Sequence, residues 1–293
     1  MKKRYSWMLI AIASLLWNCQ SNPSNTIVIG SKNFTEQLIL AEMIAQHIEA
    51  KTDINVERKL NLGGTFVCHE GIKSGELDLY PEYTGTAYSA ILKQPAQSDA
   101  KAIFQTVRKE YETQFDLSWS ESLGFNNTFA MVVRGEDAKQ FQLSTLSDLA
   151  KVAPQWQAGF GYEFVEREDG FKGLAETYNL KFSEAPKTMD LGLIYRALSD
   201  KQVDVVAGNS TDGVLSRLDF VILDDDKQYF PPYEAAIVMR NDTLEKYPDL
   251  QPVIDQLVGR ISEVEMQLLN DRVDSQGEDV TAVVTEFLAE QNI

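Results

Sequence analysis

Short runs of β-branched residues alternate with stretches of helical periodicity through the first part of the chain, and this alternation restricts the possible folds. The run at 26–30 (TIVIG) predicts a strand, and the stretch after it predicts a helix whose start Asn33 and Glu36 would cap as a capping box. A second strand at 54–62, a helix at 65–74 and a third strand repeat this order. Strands separated by helices are typical of α/β folds in which a mostly parallel sheet is flanked by helices.

Two similar segments predict where the chain passes between lobes. The segments 126–138 (NNTFAMVVRGEDA) and 231–243 (PPYEAAIVMRNDT) each contain an aromatic residue, a β-run, an arginine and then polar residues. A second α/β unit lies between them. We therefore predict a two-lobed clamp with two chain crossovers, in which lobe 1 comprises 26–127 and 232–293 and lobe 2, inserted, comprises 128–231. Clefts between lobes are preferred places for small-molecule sites.

The composition excludes several classes of function. With 27 basic and 44 acidic residues the formal net charge is −17, which repels nucleic acid and anionic lipid, so we expect neither as a partner. The chain has only two histidines and two cysteines, and no CxxC or HExxH pattern, so we predict no metal and no cofactor.

The N-terminus predicts export from the cytoplasm. Residues 1–18 combine three basic residues with the apolar run Trp7–Trp17, as in a signal peptide, and Cys19 stands where a bacterial lipoprotein is lipidated. Residues 19–25 would then form a polar tether, and Cys68 would have no disulfide partner. We predict a location in the bacterial cell envelope, periplasmic or membrane-anchored, with membrane contact only through this lipid.

An enzyme is the least favoured class. The sequence contains no GxSxG, no GxxxxGK[ST] and no GxGxxG after a strand. Cys68 and His69 are neighbours, but consecutive helix residues point apart, so we interpret them as packing residues and not as a nucleophile with its base.

Aromatic residues provide the strongest functional signal. The stretch Leu79–Tyr88 (LYPEYTGTAY) contains three tyrosines, of which Tyr83 is expected to face the cleft and the other two to pack. Phe129 and Tyr233 lie at the predicted crossovers. Ring faces attract cations more strongly when water is excluded, and a quaternary ammonium suits them because it has no N–H to satisfy.

Three further residues on the predicted cleft suit a carboxylate. They are Lys32 and Thr86 on one lobe and Arg167 on the other, and a guanidinium can hold a carboxylate through two parallel contacts. A cation and a carboxylate on one small molecule describe a betaine. Core tyrosines with solvated Lys and Arg side chains are the alternative interpretation of the same residues.

The ordered motifs IGSKNFTEQLILAEMIA, NLGGTFVCHEGIKSGELDLYPEYTGTAY, GFNNTFAMVVR, EFVEREDGFKGL, NSTDG and DDDKQYFPPYEAAIVMR resemble the substrate-binding proteins of bacterial ABC importers for glycine betaine, choline and carnitine. This resemblance implies a type II periplasmic-binding-protein clamp that closes on a quaternary-ammonium ligand and delivers it to ABC permease subunits. It covers the chain from about Thr26 to Arg240.

The resemblance also assigns roles to individual positions. Tyr83 in YPEYTGT and Tyr233 in FPPYEAA match residues of an aromatic cage around the ammonium, and Phe129 lies where a tyrosine is usual. The residues that match the carboxylate-holding positions of betaine-binding relatives are Lys32, Thr86 and Arg167.

Asn209 departs from the family pattern. It stands where several relatives have a further cage tyrosine, and an amide offers hydrogen bonds but no ring face. This favours a weaker betaine binder or a ligand with a polar group near its cation, and some relatives carry ergothioneine. Two alternatives stay open: an amino acid whose ammonium is held by Asp212 or Glu82, and a ligand-sensing receptor with the same clamp.

Overall fold

The computed structural model describes residues 25–95 and 97–293, so the predictions for the signal peptide, Cys19 and nearly all of the tether lie outside the described residues. Within these residues, ten strands form two five-stranded sheets. The strands are β1 (Thr26–Gly30), β2 (Asn55–Lys59), β3 (Leu79–Tyr83), β4 (Leu117–Trp119), β5 (Phe129–Arg134), β6 (Ala158–Gly161), β7 (Lys187–Met189), β8 (Val205–Asn209), β9 (Phe220–Leu223) and β10 (Ala235–Arg240).

The two sheets have the same plan. Their orders are β2-β1-β3-β10-β4 and β7-β6-β8-β5-β9. In each, three strands run parallel, and the fourth strand is antiparallel to both of its neighbours. That fourth strand is β10 in the first sheet and β5 in the second, which explains why segments 126–138 and 231–243 look alike: they hold equivalent positions.

The prediction of a two-lobed α/β fold is therefore confirmed. Each sheet is mixed: four of its five strands point the same way, and β5 or β10, which enters its sheet from a crossover, runs against the strands beside it. We use lobe 1 and lobe 2 for the parts built on the first and second sheet. The residue boundaries predicted for the lobes stay a prediction.

Helices cover both sheets. They are α1 (Thr35–Lys51), α2 (Thr65–Ser74), α3 (Thr84–Thr86), α4 (Ala100–Phe115), α5 (Gly135–Phe141), α6 (Leu146–Val152), α7 (Tyr162–Glu166), α8 (Phe171–Tyr178), α9 (Ile194–Ser199), α10 (Asn241–Lys246), α11 (Leu250–Ile254), α12 (Glu263–Asp274) and α13 (Val280–Gln291). None of the helices in the described part of the chain is long and apolar enough to cross a membrane.

Helix α1 is central to lobe 1. Eleven of its 17 residues are buried, because it packs on the sheet and is itself covered by α11, α12 and α13. The capping box predicted at its start is wrong. The helix begins at Thr35 after Phe34, which makes no side-chain capping bond, and Glu36 is turned into the interior.

Candidate ligand-binding site

A cavity of about 200 Å³ lies between the lobes, and the residues predicted from the sequence meet there. Its lining includes Lys32, Tyr83, Thr86, Phe129, Arg167, Asn209 and Tyr233. Tyr83 and Asn209 are the last residues of β3 and β8, and Phe129 is the first residue of β5. The cavity therefore lies beyond the carboxyl ends of parallel strands, where α/β sheets bind ligands. That these residues bind a ligand stays a prediction.

Lys32 is held by a neighbouring carboxylate. Its ammonium forms an ion pair with Glu82 and lies 4.7 Å from the centroid of the Tyr83 ring. Glu82 also accepts hydrogen bonds from Thr65 Oγ1 (3.1 Å) and from the backbone N–H of Tyr83 (2.7 Å). Lys32 and Glu82 are both buried, so Glu82 offsets much of the lysine charge that we had expected to face a ligand carboxylate.

Arg167 is buried among the predicted cage rings. Its Nε and Nη2 donate to the two oxygens of Asp169 (2.8 and 2.6 Å), and Nη2 also donates to Thr86 Oγ1 (3.1 Å). Its Cζ lies 4.9 Å from the Phe129 ring centroid and 5.9 Å from that of Tyr233. Burial lowers the pKa of the guanidinium, but Asp169 outweighs this and raises it overall. The Arg167 guanidinium thus lies over two of the rings that were predicted to form the cage.

Asp169 is a residue that sequence reasoning missed. Besides Arg167 it accepts a hydrogen bond from the Tyr233 hydroxyl (2.6 Å), so one carboxylate fixes both a guanidinium and a ring that line the cavity. The sequence signal that could have identified it is its position two residues after Arg167 in EREDG.

Other lining residues were also missed. Phe34 stacks on Tyr83 with ring centroids 6.4 Å apart, and Phe164 meets Phe129 edge to face at 4.8 Å. Glu163 and Asp190 bring carboxylates to the lobe 2 side of the cavity. Phe164 and Glu163 lie in α7, one turn before Arg167, so helical spacing from the arginine could have found them.

Asn209 lines both this cavity and a second one of about 350 Å³. Its backbone N–H and Nδ2 donate to Asp212 (2.8 and 3.3 Å), which also accepts the Tyr195 hydroxyl (2.6 Å). The second cavity has further carboxylates from Glu36 and Asp274 on its wall. Burial raises the pKa of Asp212. Asn209 therefore stands between the ligand cavity and an acidic neighbouring cavity, at the point where a cage ring was expected.

Cys68 and His69 are packing residues, as predicted. Cys68 is fully buried, which raises the pKa of its thiol to about 12, and burial lowers the pKa of His69 to about 4. The His69 ring packs against Tyr111 and Phe115, away from the cavity between the lobes. Tyr80 and Tyr88 belong to the same core cluster as Cys68, as we had expected.

Residues 25–290 match the family described as the substrate-binding domain of the ABC-type glycine betaine transport system. The chain belongs to this family. The match also includes the helical segment after Arg240, which the sequence motifs did not cover. The family consists of transport proteins and not enzymes, and substrate-binding proteins of ABC importers are extracytoplasmic.

Individual relatives agree with this assignment. A carnitine transport binding protein of Listeria monocytogenes is 36% identical over 100% of this chain and 98% of its own length. A Helicobacter pylori ergothioneine transport permease and binding protein is 35% identical over 96% of this chain and 51% of its own length. Among solved structures, a glycine betaine/carnitine/choline ABC transporter protein is 34% identical with a TM-score of 0.74, covering 91% of this chain and 98% of that one.

Proposed function

We propose that this protein captures a quaternary-ammonium solute of the glycine betaine, choline and carnitine class between its lobes and delivers it to an ABC permease. The observation that carries the proposal is the convergence of Tyr83, Phe129, Tyr233 and Arg167 from both lobes on one cavity of about 200 Å³. The similarity to a carnitine transport binding protein along the whole chain supports the same ligand class.

The rings would hold the ammonium. Phe129 already accommodates the Arg167 guanidinium at 4.9 Å and Tyr83 the Lys32 ammonium at 4.7 Å, which supports the idea that these faces admit a cation. Each favourable ring contributes about 2 kcal/mol once water is excluded. A trimethylammonium group would add to this without requiring a hydrogen-bond acceptor.

The carboxylate of the ligand would bind beside Arg167. Its Nη1 makes no hydrogen bond with the described residues, and the Thr86 hydroxyl, which accepts from Nη2, keeps its own proton to donate. Lys32 retains donors beyond the one that Glu82 accepts, although its charge is largely offset. We expect Arg167 to contribute more than Lys32.

The transport cycle would involve no covalent step. Closure of the lobes around the ligand excludes water, which strengthens the cation–π and charged contacts. The closed form would then dock on the permease, and bending would concentrate at the crossovers that lead into β5 and β10. Anchoring through a lipid on Cys19 stays part of this proposal.

A longer zwitterion such as ergothioneine is a second candidate. Asn209 also lines a second, neighbouring cavity, and Glu163 and Asp190 offer acceptors for ring N–H groups. The similarity to the Helicobacter pylori ergothioneine protein supports this candidate as well.

Calorimetric titration of the purified protein tests the proposal. We would titrate glycine betaine, choline, carnitine, ergothioneine and a panel of amino acids into the wild type and into Tyr83→Ala and Arg167→Ala. We expect saturable heat with a betaine that both substitutions abolish. Choline binding that survives Arg167→Ala would remove the carboxylate site, and heat only with amino acids would reject the ligand class.

A further inference from the structure

Glu36, at the start of α1, collects hydrogen bonds from four separate parts of the chain. Its Oε1 accepts from the Tyr83 hydroxyl (2.6 Å) and from Asn127 Nδ2 (2.7 Å). Its Oε2 accepts from Thr211 Oγ1 (2.5 Å) and from Asn270 Nδ2 (3.2 Å). The side chain is 3% exposed, so these donors replace nearly all of its contact with water.

The donors connect Glu36 to both walls of the ligand cavity. Tyr83 lines the cavity from lobe 1, and Asn127, which also lines it, lies just before the crossover strand β5. Thr211 follows Asn209, the lining residue at the end of β8 in lobe 2, by two positions. Glu36 itself borders only the neighbouring second cavity and not the ligand cavity.

The hydrogen bonds to the buried Glu36 carboxylate hold the four donor side chains in fixed positions. Burial raises the pKa of Glu36, and the hydrogen bonds from Thr211, Tyr83, Asn127 and Asn270 reverse this only in part. A buried carboxylate is costly unless several donors satisfy it, and hydrogen bonds to a carboxylate are short and strong. Misplacing any one donor therefore leaves part of a buried charge unsatisfied.

We propose that Glu36 is a positioning residue that aligns the two halves of the ligand cavity. Through Tyr83 it orients a ring of lobe 1, and through Thr211 it fixes the segment 209–212 of lobe 2. This inference deepens the proposed function and rests on it wherever ligand affinity is measured.

Two isosteric substitutions test whether Glu36 acts by positioning the residues around the ligand cavity. Tyr83→Phe keeps the ring face and removes only the hydroxyl that donates to Glu36. Thr211→Val removes the donor from lobe 2 without changing a residue that lines the ligand cavity. A matched control is Thr243→Val, which deletes the bond from Thr243 Oγ1 to Asp78 (2.7 Å) elsewhere in lobe 1.

We would measure the Kd of glycine betaine and carnitine for these variants and for the double variant Tyr83→Phe/Thr211→Val. Each single change should weaken binding about tenfold, as expected for one hydrogen bond to a charged group. The Kd of the double variant should rise by less than the product of the two single increases, because both substitutions act through the Glu36 carboxylate. Thr243→Val should lower stability and leave Kd unchanged. Unchanged affinity in both single variants, or losses that multiply independently, would overturn the inference.

Amide hydrogen exchange without added ligand provides a test that does not depend on ligand identity. Glu36→Gln should accelerate exchange at both 83–86 and 209–212, and Thr243→Val at neither. No acceleration in the two segments would reject the alignment by Glu36. Joint acceleration in a protein that binds none of the solutes would instead reject only the proposed function.

Discussion

The guanidinium of Arg167 and the carboxylate of Asp169 form a buried pair that has an exposed counterpart in the same molecule. Arg167 donates to Asp169 through Nε and Nη2, and Arg240 donates to Asp242 through the same two atoms with the same spacing in sequence. The first pair is 5% and 3% exposed, the second 23% and 59%. The two pairs share their geometry and differ in burial and in their further contacts, since Asp169 also accepts a hydrogen bond from the Tyr233 hydroxyl.

Asp169→Asn should therefore destabilise the protein by about 3 kcal/mol, because it leaves the Arg167 charge buried without its partner. Asp242→Asn should change the free energy of unfolding by less than about 1 kcal/mol, since water screens the exposed pair. Urea denaturation of both variants measures the difference. Equal effects would mean that water reaches Arg167 and that its pairing is not buried in solution.

At the scale of elements, the site depends on close approach between α3 and the crossover segment before β10. A Cβ on Gly85 would lie 2.7 Å from the carbonyl oxygen of Pro232 and 2.7 Å from Cδ1 of Tyr233. No side chain fits there without moving the backbone or the ring. The glycine in YTGT therefore has a packing role: it lets α3 approach Pro232 and the Tyr233 ring.

Gly85→Ala should displace Tyr233 and lower ligand affinity at least tenfold, a cost of about 1.4 kcal/mol or more in binding. The control is Gly71→Ala in α2, where the new Cβ meets only the side chain of Leu77 at 3.2 Å. Because alanine also favours the helix, we expect that control to stay within about 1 kcal/mol of the wild-type stability. Titration calorimetry and thermal unfolding measure the two effects, and wild-type affinity in Gly85→Ala would show that the contact can relax.

At the scale of the whole molecule, stability against acid depends on groups buried neutral in the core. Burial lowers the pKa of His69 to about 4, so between pH 6.5 and 4 the unfolded chain binds a proton that the folded chain does not. This contribution to stability is present above the unfolded pKa and is lost as the pH falls. The Nδ1 atom of His69 has no hydrogen-bond partner among the described residues, so removing the imidazole breaks no hydrogen-bond network there.

His69→Leu should make the fold less sensitive to acid. Between pH 7 and pH 5 the wild type should lose about 2 kcal/mol relative to the variant, since the shift from 6.5 to about 4 spans this range. Urea denaturation at the two pH values checks this difference. Parallel pH profiles would mean that His69 is hydrated and titrates normally.

The sequence by itself determined the alternation of strands and helices, the two crossovers and several of the residues that line the cavity. These follow from local periodicity and from the likeness of 126–138 to 231–243, which proved to be equivalent antiparallel strands. A residue at the end of a strand is placed by its own element, so Tyr83 could be predicted without knowledge of its neighbours, whereas Asn209 was found through the family resemblance.

Only the tertiary structure decided which partners those side chains have. Lys32 pairs with Glu82, and Arg167 lies over Phe129. Glu36 does not form the predicted capping box; it accepts hydrogen bonds from donors as far away in sequence as Asn270. One exposed capping bond is worth about 1 kcal/mol, less than four buried bonds to a carboxylate. The partner of each side chain depends on which groups tertiary packing brings together and buries away from water. No local sequence pattern contains that information.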